Sequence, residues 1–248
     1  WAEQVQRLRT GGVYSASRMA EVGRHITVYA VFFQFWAAQL IAVIMLSNAF
    51  SDEIYHRTLN VLMTTPVTNL QIVLGKLLSK LLQLLLLFAV TLPLLAIVRV
   101  FGGVPWDYII SSFCITVTAV LFVGSVTMLM SMLFRQPYTV IIAALLILSA
   151  VFGPTILLAM VGRSGRAFVV LAHLNPYIML TVVNWELLMP TLAGRWPISW
   201  PVHCLVMLAA SIALLGFCIT LVRKVASLQV ASRAGLFVRM WRLWSNRL

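Results

Sequence analysis

The side chains that could carry out chemistry are few and scattered. The four histidines, His25, His56, His173 and His203, are too far apart in sequence to form a motif. His203 heads an apolar run and reads as an interface residue before a ligand. The three cysteines, Cys114, Cys204 and Cys218, lie in apolar runs with no CxxC pair and no histidine at ligand spacing. They read as packed hydrophobes, implying neither a metal site nor a disulfide framework. Gly75-Lys76 lacks the upstream glycine and the following Ser or Thr of a phosphate-binding GxxxxGKS/T loop. HExxH and GxSxG are absent. What remains is neutral hydrogen bonding by Gln34, Gln39 and Asn48, which could either bond a neighbouring helix or line a pathway. No Asp or Glu falls inside an expected membrane span, so a proton- or cation-coupled carrier lacks its usual carboxylate. If this chain moves a solute, the energy comes from elsewhere.

The composition explains the scarcity. The chain has 248 residues, 62% hydrophobic and 10% charged, with mean hydropathy +0.99. A globular domain carries about 25% charged residues, so these values describe a protein whose solvent is the bilayer. A net charge of +12 would suggest nucleic acid in a soluble protein. Here the basic residues flank apolar runs and hold orientation, and no nucleic-acid partner is expected.

A hydrocarbon core of about 30 Å needs roughly 20 helical residues. Five spans are expected on that ground: 28–49, 72–98, 108–134, 138–162 and 202–222. The fold class is therefore an all-α integral membrane protein. Residues 1–27 read as a polar connector, broken by Gly11-Gly12 into two short surface helices, and on charge grounds extracytoplasmic. Pro93 and Gly153-Pro154 are expected to bend their spans, and Gly124, Ser125 and Ser131 to mark a close helix contact. The very short Arg135-Gln136-Pro137 turn makes the spans on either side antiparallel neighbours. Trp106 and Tyr108 sit where an interfacial aromatic belt would lie. In 163–201, Asn175-Pro176 divides an apolar stretch, predicting two short helices that lie against or dip into the outer face, with Trp185, Trp196 and Trp200 interfacial. The tail 223–248 is basic, acid-free and amphipathic through Leu236, Phe237, Met240, Trp241 and Trp244. The chain opens on Trp1 and not Met, which reads as a fragment or processed chain.

The stretch 51–80 organises the rest. Ile54, Tyr55, Thr58, Leu59, Leu62 and Met63 recur at helical steps after the polar start Asp52, Glu53, His56, Arg57. Pro66 should end that helix, and a second starts near Asn69 and passes Gly75-Lys76 into the next span. An amphipathic helix, a proline break and a Gly-Lys entry to a span describe a docking element. Placing the acid-free tail in the cytoplasm brings this loop there too.

Glu53, Arg57-Thr58-Leu59, Leu62, Thr65-Pro66, Ile72 and Gly75-Lys76 resemble the loop of ABC-2 type transporter permeases. In that family the segment follows the second span and forms the cytoplasmic coupling helix that meets the ATPase subunit. Arg57 stands where a glycine is usual, and Asn60 where a glutamate is usual. The likeness extends more loosely over about residues 25–225. It implies ATPase-coupling roles for Glu53, Arg57, Thr58, Leu59, Leu62, Thr65, Pro66, Gly75 and Lys76, and a sixth span upstream. It also implies a re-entrant element before the last span, a second permease subunit, and ATP and Mg bound on a partner ATPase while this chain binds no cofactor. The expected function is a non-catalytic permease of the cell membrane, an exporter more often than an importer. An ATP-independent carrier or channel using Gln34 and Gln39, and a non-transporting membrane scaffold, remain open on the residues alone.

Overall fold

The computed structural model describes residues 2–56, 69–102, 104–134, 136–161, 166–189 and 197–231, with side chains placed in 20–51, 70–86, 104–134, 136–159, 166–189 and 197–222. Every regular element among them is a helix: α1 (Ala2–His56), α2 (Asn69–Gly102), α3 (Trp106–Leu133), α4 (Pro137–Val161), α5 (Arg166–Leu174), α6 (Pro176–Leu188) and α7 (Trp200–Ala231). In hydrocarbon a backbone that is not hydrogen-bonded to itself costs several kcal/mol per group, so long apolar runs fold as helices.

Four segments are long and apolar enough to cross a membrane: Ala20–Ser51, Trp106–Leu133, Pro137–Ala159 and Trp200–Val222. They contain or nearly coincide with four of the expected spans. The fifth, 72–98, falls in the 34-residue α2, whose side chains are described only as far as residue 86. The protein is thus a multi-pass, all-α membrane protein.

α3 is the axis. Of its most apolar window 61% is buried, against 22% for α4 and α7. Val120, Met128 and Met132 pack with Leu46 and Phe50 of α1, Leu77 and Leu84 of α2 and Cys218 of α7. Val123, Val126 and Met130 pack with Val43 of α1, Val140 and Ala144 of α4 and Met207 of α7. Ile115 and Ala119 join Phe35 of α1, Met179, Leu180 and Val183 of α6 and Cys204 of α7. A helix surrounded on all sides needs small residues where backbones approach. A Cβ on Gly124 would meet Leu46 Cδ2 at 3.3 Å and Leu77 Cδ1 at 3.7 Å, so the expected close contact is real. The buried hydroxyls nearby bond back to their own helix, Ser125 to the Leu121 carbonyl at 2.8 Å and Thr127 to the Val123 carbonyl at 2.8 Å. The outward faces stay apolar, as at Phe33, Leu146 and Ile212, which suits contact with lipid.

Two expectations change. Residues 2–27 are not two surface helices; they are the leading part of the 55-residue α1, which passes straight through Gly11-Gly12. A glycine costs a helix only about 1 kcal/mol, and extending a helix already formed is far easier than nucleating another. Asp52–His56 likewise continue α1 and do not begin a separate helix. Pro154 lies inside α4 and Pro93 inside α2, and each helix continues past its proline.

The break comes where the sequence placed Asn175-Pro176. α5 and α6 meet there at 111°. Pro176 occupies the first turn of α6, where its missing N–H costs nothing, and the Asn175 side chain accepts from Tyr177 N at 2.8 Å and Ile178 N at 3.4 Å as the N-cap.

Candidate functional site

The end of α1 that leads into residues 57–68 is built for firm packing. Ala49, Phe50 and Ser51 are buried, and Ser51 Oγ donates to the Ser47 carbonyl at 2.6 Å. Ser47 Oγ in turn donates to the Ile44 carbonyl at 2.7 Å and to Asn48 Oδ1 at 3.2 Å. Facing this end, Ile72, Val73, Leu77 and Leu81 of α2 pack with Ala42, Leu46, Ala49 and Phe50. Lys76 reaches across: its Nζ donates to the Ala49 carbonyl and lies 4.4 Å from the centre of the Phe50 ring. Gly75 beside it faces open space, with nothing within 4 Å of a Cβ built there.

Of the residues assigned to coupling, Gly75 and Lys76 thus stand at the start of α2 and Glu53 in the last turns of α1, its side chain outside the described set. Arg57, Thr58, Leu59, Leu62, Thr65 and Pro66 lie outside the described residues. The basic tail residues 232–248 and Trp196 do so as well.

The three polar positions of the first span part company. Asn48 is exposed and Gln34 half-buried. Gln39 is 4% exposed, and neither end of its amide has a hydrogen-bond partner among the described residues. Its neighbours one turn away are Phe35, in the cluster that includes Met179 and Cys204, and Val43, in the cluster that includes Val126 and Met207. Gln39 therefore lies on the most enclosed side of α1.

At the α5–α6 bend, polar side chains do work that sequence reasoning left unassigned. Asn175 is fully buried, and besides capping α6 it donates through Nδ2 to Thr155 Oγ1 at 2.6 Å and to the Phe152 carbonyl at 3.2 Å. Tyr108 is not an interfacial belt residue. It is buried, and its hydroxyl donates to Asn184 Oδ1 on α6 at 2.6 Å. Trp106, more than half exposed, does fit a belt. His203 is not at an interface either: it is fully buried, with Nδ1 donating to the His173 carbonyl at 2.9 Å. That bond puts the proton on Nδ1, leaving Nε2 an acceptor with no partner among the described residues. His173 donates from Nδ1 to the Val169 carbonyl at 2.7 Å and accepts the Ser199 N–H at 3.4 Å. An aromatic cluster closes the bend, with Tyr177 at 5.2 Å from Phe35, 4.9 Å from Trp36 and 5.5 Å from Phe152 between ring centres. Asn-Pro before an apolar run was the legible signal for the cap; nothing in the sequence paired Tyr108 with Asn184.

A long helix, a second long helix packed against it and a sharply bent helix pair precede the last span. A family description for ABC-2 family transporter proteins matches residues 11–224, covering nearly all of the helices just described. The chain belongs to the ABC-2 transporter family. Members of this family are transmembrane components, distinct from the ATPase, and in ABC transporters such components associate with an ATPase subunit. No curated protein matches the chain.

Proposed function

We propose that this chain is the permease subunit of an ABC-2 exporter, paired with a second permease and driven by ATP and Mg bound on a separate ATPase subunit, in the cell membrane. The observation that carries the proposal is the family match over residues 11–224, which runs through both helices flanking residues 57–68. In this reading the ATPase engages Glu53, Arg57, Thr58, Leu59, Leu62, Thr65 and Pro66, and its closure pushes α1 and α2. Force applied there reaches the centre directly, because α1 and α2 both pack on α3 around Gly124. Of the three polar positions, Gln39 is the one we assign to the pathway. A buried amide with no partner costs about 1–3 kcal/mol, a burden that a role in contacting solute would account for.

The test is co-purification from the native membrane. A P-loop ATPase should accompany the tagged protein and be lost from Leu59→Asp and Leu62→Asp, with membrane insertion unchanged. A protein that purifies without any ATPase and still moves solutes in liposomes would overturn the reading in favour of an ATP-independent carrier.

A further inference from the structure

We infer that Lys76 is an internal strut that fastens α2 to α1, so that the two helices flanking residues 57–68 move as one lever. The inference rests on the coupling reading for what pushes the lever, but the strut itself stands on the geometry alone.

A lysine near the end of a membrane helix ordinarily extends its stem outward and leaves its ammonium among water and headgroups. Lys76 does the reverse. It is one residue from Leu77, which is buried against Leu46, and its ammonium crosses to the Ala49 carbonyl and over the Phe50 ring. Two features favour the cation there. A charge-assisted hydrogen bond is about twice as strong as a neutral one. The ring face attracts the ammonium.

The location decides what the bond does. Ile72, Val73, Leu77 and Leu81 give α2 an apolar seam with α1, and apolar seams let packed helices slide by small shears. A bond from one ammonium to one particular carbonyl fixes the register of that seam. Without it, a push on residues 57–68 can slide α2 along α1 instead of moving both against α3. Lys76 then acts as a positioning residue inside the permease, tying α2 to α1.

The test measures the α1–α2 separation in the intact permease. Spin labels are introduced by I44C and L78C, both exposed positions, in a background where Cys114, Cys204 and Cys218 are replaced by alanine. The distance distribution is recorded by electron–electron resonance in lipid nanodiscs, first without nucleotide and then with the co-purified ATPase, ATP and vanadate. The strut predicts a single narrow distribution that nucleotide does not broaden, and a distribution about twofold wider in K76M, which keeps the stem and removes the charge. K76R, which keeps the charge, should stay narrow. A K76M distribution identical to that of the parent, or a parent already broad, overturns the strut. Monodisperse K76M at parental yield separates a lost tie from a lost fold. If no ATPase co-purifies, the coupling reading and the lever fail together, while a narrow parent and a broad K76M without nucleotide still establish the strut.

Discussion

The two ends of the helix bundle are held by different physics. Where α1 runs into residues 57–68, the contacts are an apolar seam reinforced by Lys76 on the Ala49 carbonyl. At the α5–α6 bend, neutral polar side chains hold neighbouring helices together: Asn175 to Thr155 and Phe152, Tyr108 to Asn184, His203 to His173. The first arrangement makes two helices behave as one body while leaving them able to shift together. The second depends on individual bonds, and it leaves Asn184 Nδ2 and His203 Nε2 buried without partners among the described residues. Packing fixes shape; hydrogen bonds fix which of several shapes is adopted. The helices of 9 and 13 residues that meet at 111° pack through Ala172, Ile178 and Val182, and the bonds of Asn175 tie their junction to α4.

Substitutions at the bend should therefore cost stability, whereas K76M should change motion with little loss of it. The largest effect is expected from Asn175→Ala, which strips the α6 cap from Tyr177 N and Ile178 N and breaks both ties to α4. The apparent melting temperature in detergent should fall by the equivalent of about 2 kcal/mol, from the cap and two interhelical bonds. Unchanged melting would mean that packing around Ala172 and Ile178 holds the bend without help. Tyr108→Phe is expected to cost about 1 kcal/mol, since it removes one bond and leaves the Asn184 amide without partners at either end. A neutral result there would show that Asn184 finds another partner. The last change runs the other way. Gln39→Leu removes two unpartnered buried atoms and should raise thermal stability by about 1 kcal/mol while lowering transport or transport-linked ATP hydrolysis. Stabilisation with full activity would take Gln39 out of the pathway.

Much of this was readable in the residues. The apolar runs declared the spans because in lipid only a helix satisfies its own backbone, and no tertiary partner is needed to decide that. Asn175-Pro176 announced the bend because a proline that cannot continue one helix can begin the next, with the asparagine before it as cap. Gly124 and its neighbouring hydroxyls announced a close approach, since only small residues admit one. The loop pattern from Glu53 to Lys76 pointed to the family that the match over residues 11–224 then showed. Gly11-Gly12 reads locally as a break, but a propensity cost of about 1 kcal/mol per glycine yields to a helix propagating from both sides.

The sequence by itself determined where each membrane span lies: its apolar run and its apolar surface, properties of neighbours within a turn or two. Only the tertiary structure decided which polar side chain meets which. Tyr108 is 76 residues from Asn184, and Lys76 is 27 from Ala49. Nothing in composition or periodicity distinguishes a tyrosine at a membrane surface from one bonding a buried amide, or a lysine reaching for headgroups from one reaching for a carbonyl. The apolar face of a membrane helix is alike on every side, so hydrophobicity cannot choose its partners. Shape at Gly124 and hydrogen bonds at the bend make that choice, and both exist only once the helices are together.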